Sequence, residues 1–507
     1  MTESSRNSRP SAVPASQRAA PAGRGELTRA QARRVVLPLA LAQFIASYAA
    51  TNMNVAIGDI STSLDTTVAG LQTAITLFTL TMASLMIPGS KLTDIWGRKR
   101  CFTLGLSVYA VGALIAALAP SLLVMTIGYS FLEGIGSALM IPPIYILVTV
   151  LFADVATRAR YFGVISGAGG LGAAAGPLIG GLVTTTLGWR SSFLLQVLVV
   201  ATIIVLARAV PDPAREGPTP RFDLFGAVLS AAGLFFVVLG MLLSRTYGWL
   251  ASREDFTVGS TVVIPKGGIS PVWIFIGIGV LILLWFFLHL RRRERAGKEP
   301  LLHLRLFRNR TANLGLGTQT IQWLILQGSF FVVSVFIQEV RGFSAIQTGL
   351  MLTPATLGIL VSSAAAERLA QRRPQRWLVV AGFAVTSLGM LLLLVLVREH
   401  SGVWTFVPGL LLMGLGVGVM LTSSVNIVQS SFPDADQGDI SGLSRSVSNL
   451  GSSFGTALVG SVLVGAATVL PGNGPFAAAM GLLLGFSLVG LVLGILIPGP
   501  HGLRARP

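Results

Sequence analysis

Long apolar segments separated by short polar breaks recur along the whole chain. Each holds about 20 mostly hydrophobic residues, the length that an α-helix needs to cross a hydrocarbon core of about 30 Å. The fourteen predicted spans, helices 1 to 14, are 35–58, 70–92, 101–119, 122–150, 161–185, 191–209, 223–243, 272–290, 312–338, 348–367, 377–397, 404–430, 441–467 and 477–497. The pattern therefore predicts an all-α integral membrane protein.

Composition supports the bilayer as the solvent of this chain. Hydrophobic residues make up 52% and charged residues 11%, whereas about a quarter of an ordinary soluble protein is charged. The net charge of +17 would point to nucleic acid only if it formed a basic patch on a soluble surface, so we expect no nucleic-acid partner. Cys101 is the only cysteine, which excludes an intrachain disulfide and a cysteine-based metal cluster. We expect no cofactor.

The distribution of basic residues predicts how the chain is oriented. Lysine and arginine in short loops stay on the cytoplasmic side of a membrane. Of the 37 such residues, those in predicted outer loops are Arg190, Arg245, Arg253, Lys266, Arg341 and Arg398. All others fall in segments that alternate with these loops, which predicts an even number of spans and cytoplasmic N- and C-termini.

Helices 7 and 8 carry few polar side chains and are expected to face lipid. Without them, six helices precede and six follow, as in two repeats around a central site. The predicted organisation is a disordered cytoplasmic tail at 1–34, a six-helix half at 35–209, a linker at 210–311 with helices 7 and 8 and the outer loop 244–271, a second six-helix half at 312–498, and a cytoplasmic tail at 499–507. The outer loop either folds as a hairpin or stays a loose loop.

A charged segment follows helix 2. One acid and several bases fall within one tight turn, where they can pair with each other and with helix dipoles. The segment from Ser90 to Arg100 resembles the signature loop of the major facilitator superfamily, G-x-L-x-D-R-x-G-R-R/K. It matches at Leu92, Asp94, Gly97, Arg98 and Lys99, whereas Ser90 replaces the first glycine and Ile95 the first arginine. The resemblance implies a loop that locks one conformation, with Asp154 as a partner of Arg98; the alternative is a basic turn that only obeys the orientation rule.

Helix 5 carries a string of small residues. Residues of this kind spaced four apart let a neighbouring backbone approach closely, and a proline bends the helix locally. The string, with Gly172, Gly176, Pro177, Gly180 and Gly181, resembles the exporters' antiporter motif of the same superfamily, G-x-x-x-G-P-x-x-G-G. The alternative is plain helix packing. Together the motifs resemble the fourteen-helix drug:proton antiporter branch, which implies the major facilitator fold with two six-helix pseudo-repeats plus two additional helices.

Two charged positions of that branch are absent. Its helix 1 usually carries an aspartate and its helix 4 an arginine, where this chain has Ala49 and Ser130. Glu133 is the only acid well inside helices 1 to 6, and lies about 18 Å from the outer end of helix 4. A carboxylate there costs roughly 2.5–3.5 kcal/mol unless it is paired, solvated or protonated. Our hypothesis is that Glu133 couples transport to proton influx; the alternative is a permanently protonated structural residue.

Polar side chains form a stripe on helix 1 and another on helix 9. Their three- and four-residue spacing places each set on one helix face. The members are Gln43, Ser47, Thr51 and Asn54 on helix 1, and Gln319, Gln322, Trp323 and Gln327 on helix 9. Amides beside an aromatic ring suit weakly polar, amphipathic cargo in a substrate cavity. The alternative is hydrogen bonding between helices that serves packing only.

These features predict a secondary transporter, not an enzyme. We expect proton-coupled export of small hydrophobic or amphipathic compounds by alternating access, from a monomer in a bacterial plasma membrane that interacts with its substrate, protons and membrane lipids. The alternative is a lipid or glycolipid translocator of the same fold that is not strictly proton-coupled. A channel would favour repeated pore segments and rings of charge. The four histidines lie at helix ends, in loops or in the tail, which argues against the metal or nucleophile set of an intramembrane enzyme. No phosphate-binding G-x-x-x-x-G-K motif occurs, so we do not expect this chain to use ATP.

Overall fold

The computed structural model describes residues 29–152, 155–212, 221–258, 261–433, 437–467 and 469–498. Within these ranges, fourteen helices are long and apolar enough to cross a membrane. The predicted number of spans and the all-α membrane fold are therefore confirmed.

The helices of the first half and the linker differ from the predicted spans by a few residues at either end. Helix 1 ends at Asn52, before the predicted end at 58, because the 3-10 turn Met53–Val55 follows it. Helices 1, 2 and 3 are Arg29–Asn52, Val68–Trp96 and Arg98–Ala117. Helix 4 consists of Leu122–Met125, a π-helical stretch Thr126–Glu133, and Gly134–Leu151. Helices 5 to 8 are Val155–Leu187, Trp189–Ala207, Leu224–Tyr247 and Pro271–Arg295.

The second half follows the same pattern. Helices 9 to 14 are Arg310–Val335, Ala345–Arg372, Gln375–Leu396, Val407–Gln429, Gln437–Ala467 and Gly474–Leu496. Shorter elements are the 3-10 turns Met53–Val55, Leu304–Arg308 and Val403–Thr405, the helix Ile57–Ser63, and the π-helical turn Phe336–Val340 that ends helix 9.

Helix 1 begins earlier than predicted. It starts at Arg29, so the last six residues of the predicted 1–34 tail are helical. Ala32 is buried there, together with Val35 and Val36 just beyond the tail, so apolar contacts extend the helix past the point where the hydrophobic run appears to start. The remaining tail residues, and the predicted tail 499–507, lie outside the described residues.

Local sequence decides where several helices begin and turn. The Asn309 side chain accepts a hydrogen bond from the Ala312 amide at 3.2 Å and caps helix 9. Ser344 and Gln347 form a reciprocal capping box at the start of helix 10. Gly97 alone separates helix 2 from helix 3, and Gly188 alone separates helix 5 from helix 6. Their φ angles of 100° and 84° lie where a side chain would be strained, so glycine permits both turns.

Helix pairing repeats between the two halves. In the first half, helix 1 packs on helix 5, helix 4 packs on helices 2 and 3, and helix 3 packs on helix 6. In the second half the same partners recur, as helix 9 on 13, helix 12 on 10 and 11, and helix 11 on 14. The halves meet mainly through helix 5 against helix 10 and helix 2 against helix 13. The structure thus shows two six-helix repeats related by equivalent contacts.

The two additional helices are less alike than predicted. Helix 8 packs mainly on helix 7, and only 22% of its most hydrophobic stretch is buried, as expected for a lipid-facing helix. Helix 7 also packs on helices 2 and 13, where the Ser244 and Ser461 hydroxyls hydrogen-bond at 2.8 Å, so it does not face lipid alone. Outside the membrane, strands β1 (Phe256–Val258) and β2 (Thr261–Ile264) pair antiparallel, so the loop forms a hairpin.

Candidate functional site

The charged segment 90–100 runs from the end of helix 2 into helix 3 and contacts the second half. Lys91 Nζ lies 2.8 Å from Asp439 Oδ1 at the start of helix 13, with both side chains mostly buried. Lys99 instead donates to the backbone oxygen of Arg208 at the end of helix 6, at 3.0 Å. Arg98 is the first residue of helix 3. Its predicted partner, Asp154, lies outside the described residues, and the Lys91–Asp439 ion pair is one of the contacts that link the two halves.

Ser90 faces a compensating glycine. A Cβ added at Gly442 would lie 3.1 Å from the Ser90 Cβ, tighter than most such contacts. The chain has serine where the signature loop has its first glycine, and helix 13 supplies a glycine opposite it. Helices 2 and 13 can therefore approach closely here, because Gly442 of helix 13 leaves room for the Ser90 side chain.

Three glycines of the helix 5 string face helix 1. A Cβ at Gly172 would lie 2.1 Å from the Phe44 carbonyl oxygen, and one at Gly176 would lie 2.0 Å from Thr51 Oγ1. At Gly180 it would lie 2.0 Å from Asn52 Oδ1. The spacing of four residues thus brings helix 5 against helix 1 with no room for side chains.

The other two members of the string face helix 10, in the second half. A Cβ at Gly181 would lie 2.6 Å from the Ala345 carbonyl oxygen. A Cβ added at Gly349 of helix 10 would lie 2.3 Å from the Pro177 carbonyl oxygen. The same helix therefore packs closely within its own half and across the boundary between halves.

The helix 1 stripe divides into two parts. Gln43 and Ser47 hydrogen-bond to each other at 3.4 Å, and Gln43 Oε1 accepts from the Tyr145 hydroxyl at 3.3 Å. Thr51 donates to the Ala173 carbonyl on helix 5 at 3.1 Å. The buried Asn54 amide has no hydrogen-bond partner. One end of the stripe therefore belongs to a polar cluster between helices, whereas Thr51 serves the packing of helices 1 and 5.

The helix 9 stripe is largely engaged with other helices. Gln319 Oε1 accepts from Ser444 on helix 13 at 2.7 Å, and the Gln322 amide hydrogen-bonds to Ser424 on helix 12 at 2.9 Å. Gln327 Nε2 donates to the Ala50 carbonyl on helix 1 at 2.8 Å. Trp323 is half-buried against the apolar core. Gln319 Nε2 and Gln327 Oε1 are buried and have no hydrogen-bond partner among the described residues.

A half-buried arginine joins the polar cluster and was not among the predicted site residues. Arg445, which the orientation argument counted with the cytoplasmic residues, lies inside helix 13. Its guanidinium donates to the Tyr145 hydroxyl and lies 4.8 Å from the centre of that ring. Gln43, Tyr145 and Arg445 thus connect helices 1, 4 and 13 across the two halves. The available signal was an arginine several residues inside an apolar helix, where charge is costly and usually functional.

Glu133 lies apart from this cluster. It is fully buried on helix 4, and the Tyr109 hydroxyl of helix 3 lies within hydrogen-bonding reach of its carboxyl group. The same hydroxyl donates to Gln196 Oε1 on helix 6 at 2.5 Å. The acid therefore lies in a tyrosine-lined space inside the first half, about 18 Å from Tyr145 at about 1.5 Å per residue along helix 4.

Glutamine side chains fasten the halves together on the predicted outer side. Gln338 donates to the Asn54 carbonyl at 2.8 Å and accepts from the Gly58 amide at 3.0 Å. Gln72 donates to the Thr456 carbonyl on helix 13 at 2.7 Å. These hydrogen bonds hold the two halves in contact at the end of the bundle that the orientation argument predicts to be the outer side.

Known proteins share both the sequence pattern and the fold. Three overlapping matches to the Major Facilitator Superfamily cover residues 39–264, 224–456 and 324–505. The multidrug resistance protein Stp of Mycobacterium tuberculosis is 28% identical over 411 residues, which are 81% of this chain and 72% of that protein. The methylenomycin A resistance protein of Bacillus subtilis is 26% identical over 483 residues, covering 95% of this chain and 97% of that one.

A solved structure supports the fold independently. The crystal structure of a POT family transporter in complex with a thioalcohol-conjugated peptide matches with a TM-score of 0.64. It covers 92% of this chain and 96% of its own at 16% identity, a likeness of fold alone. With the family matches spanning nearly the whole chain, this protein belongs to the major facilitator superfamily and is a multi-pass membrane transporter, not an enzyme.

Proposed function

We propose that this protein exports small hydrophobic or amphipathic compounds from a bacterial cytoplasm by alternating access, driven by proton entry. Both termini then lie in the cytoplasm of a plasma-membrane monomer. The relatives described above are named for multidrug or methylenomycin A resistance, which supports export over import. The contacts between the halves at the predicted outer side fit a state that takes up cargo from the opposite face.

The cluster of Gln43, Tyr145 and Arg445 is the observation that carries this proposal. It offers an amide, an aromatic ring and a guanidinium between the two halves, where cargo would be held while the halves rock. An aromatic ring binds apolar cargo, and the amide and guanidinium bind a polar end. The positive charge favours neutral or acidic amphipaths over cations.

Proton coupling is assigned to Glu133. A fully buried carboxyl group is stable when it holds a proton, and it can release that proton when water reaches it. It does not contact the Gln43–Tyr145–Arg445 cluster. Helix 4 carries both Glu133 and Tyr145, so we assign the coupling to movement of this helix rather than to competition for one site.

Transport in proteoliposomes under an imposed pH gradient tests both parts. Wild type, Glu133→Gln and Arg445→Gln are compared for flux of a neutral, an acidic and a cationic fluorescent amphipath, with internal pH recorded. Glu133→Gln should lose gradient-driven flux at least tenfold but keep cargo exchange without a gradient. Arg445→Gln should lower both, most for the acidic cargo.

Several outcomes would contradict the proposal. Unchanged coupled flux in Glu133→Gln would leave this residue a structural role only. Unchanged flux in Arg445→Gln would remove the cluster from the cargo path. Movement of fluorescent lipid irrespective of the pH gradient, without flux of any amphipath, would identify a lipid translocator instead.

A further inference from the structure

A basic cavity lies where helix 8 meets the connector to helix 9. Its volume is about 490 Å³, and it is lined by Arg291, Glu294, Arg295, Leu304, Arg305 and Arg308. Four arginines and one glutamate give the lining a net positive charge. The cavity shares no lining residue with the Gln43–Tyr145–Arg445 cluster, and the transport function proposed above makes no use of it.

Backbone geometry explains why the arginines converge. Arg291 and Arg295 are four residues apart on helix 8, so they share one face of the helix. Arg305 and Arg308 are three residues apart in the 3-10 turn Leu304–Arg308, where residues at this spacing eclipse one another. Two pairs of guanidinium groups therefore face the same cavity from two elements.

The one acid that lines the cavity, Glu294, connects helix 8 to the 3-10 turn Leu304–Arg308. Glu294 Oε1 accepts a hydrogen bond from the Leu304 amide at 2.7 Å and lies 3.6 Å from His303 Nδ1. Phe307 of the turn packs edge-on against Phe287 of helix 8, with ring centres 5.5 Å apart. These contacts fix the turn against helix 8, and the Glu294 charge is occupied within the protein.

Converging guanidinium groups are suited to phosphate. Their planar forks form paired hydrogen bonds with phosphate oxygens, and the excess positive charge favours an anion. We propose that this cavity binds the phosphodiester headgroup of an acidic phospholipid such as phosphatidylglycerol.

The surface next to the cavity fits the acyl chains of such a lipid. Val280, Leu284 and Phe287 lie on the helix 8 face that leads from Arg291 into the membrane span, and each is at least 40% exposed. Basic pockets beside spanning helices at the membrane surface bind acidic headgroups. A soluble phosphate would use the arginines alone, whereas a phospholipid also uses this apolar face.

Lipid binding to the purified full-length protein tests the proposal. Native mass spectrometry would follow binding of phosphatidylglycerol, phosphatidylcholine and inorganic phosphate to wild type and to the Arg305→Gln/Arg308→Gln double variant. Wild type should prefer phosphatidylglycerol. The double variant should weaken that binding about thirtyfold, the loss expected for two arginines at an acidic membrane surface.

Matched control variants distinguish binding in the cavity from attraction of the lipid to the positive charge of the region. Arg292→Gln/Lys298→Gln removes the same charge from exposed positions on helix 8 and its connector that do not line the cavity, and it should bind phosphatidylglycerol like wild type. Arg291→Gln/Arg295→Gln should repeat the loss, and unchanged thermal unfolding would show that each variant is folded. Equal loss in the control pair, no loss in either cavity pair, or displacement of the lipid by inorganic phosphate would overturn the proposal.

Discussion

Gly176 shows at the scale of one residue how closely helices 1 and 5 approach. A methyl group added there would lie 2.0 Å from Thr51 Oγ1, far inside van der Waals distance. Gly170, on the same helix, has no atom within 4 Å of the corresponding position. Two glycines of one helix therefore have opposite tolerance for the same substitution.

We expect Gly176→Ala to destabilise the protein by about 1–3 kcal/mol, because the helices must separate to accept the methyl group. Gly170→Ala should be neutral or slightly stabilising, since alanine is the better helix former. Thermal unfolding of the purified variants measures the difference. Equal midpoints for the two variants would show that the close contact at Gly176 is not maintained.

Asp223 illustrates how one side chain organises an element. Its carboxylate caps helix 7 through the Gly226 amide at 3.0 Å and also binds His289 Nε2 at 3.0 Å. Arg293 Nε lies 3.4 Å away, while only 1% of the Asp223 side chain is exposed. Helix 7 is therefore fastened to helix 8 at one end by a buried acid.

Substitution of Asp223 separates capping from charge pairing. Asp223→Asn keeps a good capping group but loses the charge opposite Arg293, whereas Asp223→Ala loses both. We expect Asp223→Ala to cost about 2 kcal/mol of stability and Asp223→Asn about half as much. Thermal unfolding would be compared with Glu254→Ala, an exposed loop residue. An alanine variant as stable as Glu254→Ala would contradict this role.

At the scale of the whole molecule, Gln72 and Gly460 link the two halves at the predicted outer side. The Gln72 amide occupies the space beside Gly460, where a Cβ would lie 1.8 Å from Nε2, and donates to the Thr456 carbonyl. A side chain at position 460 would displace the glutamine and break that hydrogen bond. The cost falls on any arrangement in which helices 2 and 13 meet in this way.

We expect Gly460→Val to shift the population toward an open outer side about fivefold, as expected for one lost hydrogen bond of about 1 kcal/mol. Spin labels at Thr62→Cys and Glu339→Cys, in a Cys101→Ser background, would report the distance between the halves. Gly485→Val on helix 14, where a Cβ meets no atom within 4 Å, is the control. Identical distance distributions for the two variants would contradict the linking role of Gln72.

The sequence predicts the helices of this molecule better than the contacts between them. Fourteen spans follow from apolar length alone, because the bilayer imposes that length on every helix. The glycine string on helix 5 indicated a close contact but not that it divides between helices 1 and 10. Asp439 and Arg445 lie far along the chain from Lys91 and Tyr145, so only the folded arrangement brings these pairs together.

The glycine turns described above limit how the first half can move. Gly97 is the whole connection between helices 2 and 3, and Gly188 that between helices 5 and 6. Because each linker is one residue long, helix 2 cannot shift along its axis without moving helix 3. Helix 5 likewise cannot shift without moving helix 6. Any displacement of helix 2 or helix 5, which form the contact between the two halves, therefore also displaces helix 3 or helix 6.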